Sequence, residues 1–330
     1  MGASKSVSSL LHKYLSITEV NRSILTVCLC FIVNFLNPFF LTAENLRLIL
    51  IWGSVYALSV MGEMFYLLVG AIDLSFGGVI CLSNVLAAAF MKWYGLDVWL
   101  SVFLVLLIGL ATGLATGLFG ICFSPPFKFM IPVFIFTLML NFVYTGVMKI
   151  LTGAFSIYEL PPIYSVISRQ MIGPIPIVLI YTLATLAVTV FFLYYRPVGR
   201  HIYATGLSDD VALRVGVNVK KVRLLALSIG SMIQAFVGVV AGSYLGQGSI
   251  LIGPAYLLPV LAGTFIGGIS LAGGEGTPFG ALLGGFMIYL VESIIVTLRI
   301  GAFWKEVVTG IFLLLFVIVD FIQKRGAFRR

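Results

Sequence analysis

The chain has 330 residues, of which 61% are hydrophobic and only 10% charged, against roughly 45–50% and 25% in soluble chains, so a water-soluble globule is excluded. Its apolar residues number about 200, and at ~20 per crossing they allow roughly ten membrane spans and leave little for a separate domain. The net charge of +8 is dispersed among apolar segments, which fits cytoplasmic loops beside anionic membrane lipid and not a nucleic-acid surface.

Apolar runs between polar or glycine-proline breaks predict spans over 23–41, 46–72, 77–91, 98–123, 129–151, 173–195, 224–246, 255–272, 277–298 and 302–322. The chain thus reads as one all-α, polytopic membrane domain over 1–330 with about ten transmembrane helices. The third and eighth runs are short and glycine-rich, and a broken or re-entrant helix at either lowers the count to eight or nine. The 22-residue leader before the first run is long for a secretory signal and no small-x-small cleavage site follows, so that run reads as an uncleaved span.

With residues 1–22 placed in the cytoplasm, the inner segments hold Lys5, Lys13, Arg22, Lys128, Arg196, Arg200, Arg214, Lys220, Lys221, Arg223, Lys324, Arg325, Arg329 and Arg330, which is 14 of the 20 cations. That arrangement satisfies the positive-inside rule, with both termini cytoplasmic. Loop 152–172, with Pro161 and Pro162, then faces outward, and the basic loop 196–223 faces inward.

Glycines recur every four residues at Gly109, Gly113 and Gly117 and at Gly276, Gly280 and Gly284, and Gly230, Gln234, Gly238 and Gly242 repeat the device with one amide. These are close-packing faces of a helical bundle, without catalytic meaning. The cysteines Cys28, Cys30, Cys81 and Cys122 lie in apolar runs, and His12 and His201 have no ligand-type neighbours at metal spacing. No metal and no cofactor is expected. The chain also has no G-x-x-x-x-G-K-[ST] phosphate loop, so ATP hydrolysis by this chain is not expected.

Within loop 196–223, Ser208 is placed to cap a helix start, Asp209 and Asp210 fall in its first turn, and Gly216 is placed to end it. Val211, Leu213 and Val215 form no single seam, so this short helix is not simply folded onto its own bundle. The plain alternative is a solvated connector. From Gly206 to Val219, with Ala212 and the exit Gly216-Val217-Asn218-Val219, the chain resembles the cytoplasmic coupling segment of permease subunits from bacterial ABC importers for ribose and other simple sugars. Gly70-Ala71-Ile72-Asp73-Leu74-Ser75-Phe76-Gly77 is similar to that family's G-x-x-D-L-S-V-G. Gly267-Gly268-Ile269-Ser270-Leu271-Ala272-Gly273-Gly274 is similar to its G-G-x-S-L-x-G-G. The likeness runs in order from about 45 to 320.

The resemblance implies a homo- or heterodimer of such permeases, two cytoplasmic ATP-binding subunits docked on the coupling helices, and an extracytoplasmic solute-binding protein. It implies ATPase coupling through Ser208, Asp209, Asp210, Ala212, Arg214, Gly216 and Asn218. Where the family carries Tyr-Glu-Leu-Asp, this chain has Tyr256-Leu257-Leu258-Pro259 and lacks both carboxylates.

Polar groups inside spans mark a pathway or a partner, because an ionisable side chain in hydrocarbon is costly. Trp52, Tyr56, Ser59, Glu63, Tyr66 and Gly70 follow at intervals of three or four and share one helix face. Such a face suits a polyhydroxylated solute, or else holds interfacial aromatics and a Glu63 paired across helices. Asp73 and Ser75 sit in a glycine-rich break and also suit a helix cap, Glu292 has Tyr289, Ser293 and Thr297 around it, and Asp320 sits one turn from Lys324. The candidate pathway is therefore Trp52, Tyr56, Glu63, Tyr66, Asp73, Ser75 and Glu292. The expected function is passage of a monosaccharide-sized solute. The alternatives are a permease for nucleosides or branched-chain amino acids and an ion-driven secondary transporter using Glu63 and Glu292.

Overall fold

The computed structural model describes residues 37–123 and 129–298, with scattered positions between 24 and 35 and between 301 and 314. In order come α1 (Ala43–Leu68), α2 (Phe76–Lys92), α3 (Val98–Phe123), α4 (Met130–Thr152) and α5 (Pro162–Arg169). A hairpin of β1 (Met171–Ile172) and β2 (Ile175–Pro176) leads into α6 (Ile177–Val190), which one wide π-type turn continues to Tyr195. Then follow α7 (Pro197–Leu207), α8 (Asp209–Arg214), α9 (Val219–Leu245), α10 (Leu257–Ile266) and α11 (Pro278–Thr297). The predicted ion pair of Asp320 with Lys324 and segment 1–22 lie outside the described residues.

Among the described residues six helices are long and apolar enough to cross a membrane: α1, α3, α4, α6 with its π turn, α9 and α11; the first and tenth predicted spans lie partly outside those residues. The six coincide with the second, fourth, fifth, sixth, seventh and ninth predicted spans, while the third and eighth are the shorter apolar helices α2 and α10. Polar caps account for where boundaries moved. Thr42 caps α1 through the Asn45 N–H, so that helix begins at 43, and Asn218 accepts from the Lys221 N–H at 3.1 Å and starts α9 five residues early. The hairpin takes residues 171–176 and delays α6 to 177.

The apolar stretch of α1 is 83% buried and that of α9 67%, whereas the figure is 17% in α4. The two polar-flecked helices are therefore the core of the bundle, and α4 turns Phe134, Met139, Phe142 and Ile150 outward where lipid would lie. Small residues permit the central contacts. A Cβ on Gly113 of α3 would fall on the Leu227 carbonyl of α9, and one on Gly285 of α11 on the α1 backbone at Ala57. Gly280 and Gly284 face Gly267 and Gly263 of α10 in the same way, but Gly276 precedes the helix and packs on Ile269. The Gln234 amide donates to the Ser59 carbonyl of α1 at 2.7 Å, tying α9 to α1 at mid-length.

Two chain breaks interrupt the bundle, at 69–75 between α1 and α2 and at 267–277 between α10 and α11. They meet at one end, where the Gly274 N–H donates to the Leu68 carbonyl at 3.3 Å. At the opposite end, segment 153–176 is strapped down. Ile157 and Gly248 exchange backbone hydrogen bonds, Tyr164 donates to the Val239 carbonyl at 2.9 Å, and Lys92 pairs with Glu159 at 2.7 Å. That ammonium holds the exposed Glu159 carboxyl below its ordinary range.

Candidate functional site

The predicted short helix exists and has two faces. Ser208 ends α7 and caps α8, its hydroxyl accepting from the Val211 N–H at 3.4 Å, and the chain leaves α8 through Gly216 at φ +81°. Ala212 is fully buried beneath the helix. On the outer face Val211, Leu213 and Val215 are 59%, 56% and 71% exposed, so the described bundle leaves this apolar set uncovered. Arg214, Gly216 and Asn218 are also exposed. The two acidic residues separate, because Asp210 faces out while Asp209 turns inward to Arg223 at 2.8 Å. The same guanidinium lies 3.9 Å from the Phe129 ring centre.

Helix α7 seats this element on both chain breaks at once. Gly206 lies against the Leu68 carbonyl and the Gly274 backbone, and Tyr203 donates to the Gly276 carbonyl at 2.9 Å. The segments 70–77, 206–219 and 267–274, which lie far apart in sequence, therefore converge at one end around a cavity of about 410 Å³ lined by Gly70, Gly206, Ser208, Asp209, Arg223 and Ala272.

The opposite end holds a second cavity of about 370 Å³, within the roughly 300–1,000 Å³ of small-molecule sites. Helix α1 contributes Trp52 and Tyr56, α11 contributes Tyr289 and Glu292, and the segment after α9 contributes Gln247, Ser249 and Tyr256. The Tyr56 ring stacks on Tyr256 with centres 4.9 Å apart and on Tyr289 at 5.8 Å, and its hydroxyl donates to Glu292 at 2.9 Å. Ser249 is fixed from α2, whose Asn84 accepts its N–H at 2.9 Å. Glu292 is the only formally charged group in this lining.

The face of α1 expected to line one pathway is thus divided. Trp52 and Tyr56 open on the cavity, whereas Glu63 and Tyr66, about 10 Å farther along at 1.5 Å per residue, are fully buried. Ser59 and Gly62 pack on Gln234 and Gly230 in between, and Tyr66 bonds to Ser231 at 2.8 Å. Asp73 and Ser75 belong to the first break, where one Asp73 oxygen accepts from the Ser75 N–H and hydroxyl, each at 2.6 Å. Glu63 accepts from the Asp73 N–H at 3.2 Å. Tyr256, Gln247 and Ser249 were not among the predicted pathway residues. The one sequence signal for Tyr256 was its place beside the family's missing carboxylates.

A family model described as branched-chain amino acid transport system / permease component matches residues 45–317. The chain belongs to this permease family. All three converging segments lie inside the match. This permease is 32% identical to the ribose import permease protein of Bacillus subtilis (strain 168) over 301 residues, 91% of each chain. It is 29% identical to the D-allose transport system permease protein of Escherichia coli (strain K12) over 287 residues, 86% of each. It is also 27% identical to the autoinducer 2 import system permease protein of Salmonella typhi over 303 residues, 92% of this chain and 85% of the relative. No solved structure matches the chain. As a permease component with six apolar helices, the protein is a multi-pass transport subunit of the bacterial cytoplasmic membrane and not an enzyme.

Proposed function

We propose that this permease carries an uncharged, hydroxyl-rich solute of monosaccharide size, driven by separate ATP-binding subunits that dock on α8. The observation that carries the reading is the exposed helix α8, seated through α7 on both chain breaks, because a subunit without its own nucleotide site must receive work through a rigid external element. The names of the relatives, which import ribose, D-allose and autoinducer 2, favour sugars over the amino acids in the family's description. The cavity composition agrees. Stacked tyrosines, a tryptophan, Gln247 and Ser249 suit sugar faces and hydroxyls. A lining with one carboxylate and no cation offers nothing to an amino-acid carboxylate.

In this reading one domain crosses the membrane about ten times with both termini inside, pairs with a second permease subunit, and receives solute from an extracytoplasmic binding protein at the 153–176 end. Trp52, Tyr56 and Glu292 line the entry. Ser208, Asp209, Asp210, Ala212, Arg214, Gly216 and Asn218 build the coupling element. Orientation is tested with single cysteines at Ser165 and Lys220 in a chain whose own cysteines are replaced. A membrane-impermeant thiol reagent labels only the first from outside intact cells, and external labelling at Lys220 overturns the orientation.

Function is tested by uptake in proteoliposomes. Transport requires the ATP-binding subunits, persists with a protonophore, and is competed by free aldoses and not by leucine. Protonophore-sensitive uptake without ATP sinks the reading. In the same assay Tyr256→Ala raises the solute concentration for half-maximal uptake about tenfold, ~1.4 kcal/mol, and Tyr256→Phe much less, since stacking and not the hydroxyl is the main contribution. Equal, unchanged uptake for both variants removes this cavity from the pathway.

A further inference from the structure

Glu63 and Asp73 come together where α1 ends and the first break begins, the Glu63 carboxylate accepting from the Asp73 N–H, apart from both cavities. Both residues are fully buried, and Glu63 Oε2 and Asp73 Oδ2 have no hydrogen-bond partner. The groups facing them are Tyr66 from α1, Thr137 and Tyr144 from α4, and Ser231 of α9 through Tyr66. None is a cation, and the ion pairs among the described residues, Lys92 with Glu159 and Arg223 with Asp209, lie elsewhere. The Tyr66 hydroxyl also faces Asp73 and can donate to it while accepting from Ser231, but this leaves Glu63 Oε2 unsatisfied.

Two adjacent buried carboxylates without a counter-ion do not both stay ionised, since each charge forfeits its hydration and repels the other. We propose that Glu63 and Asp73 share a single proton, carried on Glu63, which fastens the last turns of α1 to the break between α1 and α2. One donor then fills both vacancies: Glu63 Oε2–H donates to Asp73 Oδ2, while Glu63 Oε1 goes on accepting from the Asp73 N–H. The charge stays on Asp73 for two reasons. Its Oδ1 already accepts two short hydrogen bonds from Ser75, and it sits at the N-terminal, positive end of α2. Glu63 is then a positioning residue for the break against which Gly206 and Gly274 pack, and neither a substrate ligand nor half of an ion pair.

The test is unfolding of the full-length subunit in detergent from about pH 5 to about pH 8, for wild type, Glu63→Gln and Glu63→Ala. It reads the subunit alone, so it stands or falls separately from the transported solute. Linkage sets the sign. A folded state that keeps a proton which the unfolded chain releases above about pH 4.3 loses stability as pH rises, by up to tenfold in the folding constant per pH unit. The amide of Glu63→Gln imitates the protonated acid, accepting through oxygen and donating through nitrogen. It is expected to fold as well as wild type at neutral pH and to lack this one-proton slope. Glu63→Ala removes both the donor to Asp73 Oδ2 and the acceptor of the Asp73 N–H, and loses most of the folded subunit. The proposal is overturned if Glu63→Gln folds as poorly as Glu63→Ala, or keeps the wild-type slope. It is also overturned if sodium chloride, but not potassium chloride, stabilises wild type at fixed pH and leaves Glu63→Gln unchanged, because the ligand is then a metal cation.

Discussion

Gly206→Val is expected to abolish ATP-driven uptake, although residue 206 touches neither cavity's solute-facing aromatics nor the outer face of α8. Its Cβ would fall on the Leu68 carbonyl and the Gly274 N, with the Gly274 Cα 2.8 Å away. All three are backbone atoms that no rotamer change can move. Overpacking of this kind costs about 1–3 kcal/mol where the structure yields, and here the way to yield is to lift α7 off both breaks. The control is Gly95→Val. At φ +63° with open space around its Cβ and no place in α8 or either cavity, that variant carries only backbone strain, about 1–2 kcal/mol. The measurement is ATP-dependent uptake normalised to folded subunit in the membrane. If Gly206→Val transports as well as Gly95→Val, the seat of α7 on the breaks transmits nothing.

Placing aspartate at both Val211 and Leu213 is expected to abolish co-purification with the ATP-binding subunits while leaving the permease folded. Both side chains are more than half exposed, so the substitutions cost the fold no more than about 0.5 kcal/mol. In an interface each buried anion replaces an apolar contact, and a loss of ~2 kcal/mol or more per site weakens association roughly thirtyfold each. Reversing the charges of Asp209 and Asp210, the test the sequence alone suggests, is less clean because Asp209 pairs with Arg223 inside the chain. Retention of a normal complex by the aspartate pair would show that α8 is a solvated connector.

What was legible in the sequence follows from the range of the forces involved. Membrane spans and the limits of α8 are local matters of apolar run length and of Ser208 and Gly216, and six of the ten predicted spans, with α8, stand within a few residues of their expected places. Trp52, Tyr56 and Glu292 were singled out because aromatics and a carboxylate in hydrocarbon need a reason. Gln247 and Ser249 are invisible in the sequence, and Tyr256 is marked only by its place beside the family's missing carboxylates, because the chain carries them to Tyr56 through a turn pinned by Asn84 and Ile157. Helical periodicity gave the direction of Glu63 but not its depth. Nothing along one helix announces that Gln234 and Gly230, more than 150 residues away, cover that face.

The tie between Gln234 and Ser59 also bears on how well the membrane stays sealed. A permease at rest must not short-circuit the gradient that its partners build, and here α1 and α9 meet, beyond the aromatic cavity, along a seam of Ser59, Gly62, Gly230 and the Gln234 amide, with the Tyr66 ring against Gly230. Tightness then depends on helix-to-helix approach over a few atoms. A slight parting of α1 from α9 opens a hole lined by peptide carbonyls, which wet readily, so opening needs only a small rigid displacement. The cost of this economy is sensitivity to trimming. A subunit shortened at Gln234 should let sugar seep down its gradient with no ATP-binding subunit present, a slow loss that cells would register as wasted substrate and not as a failure to import.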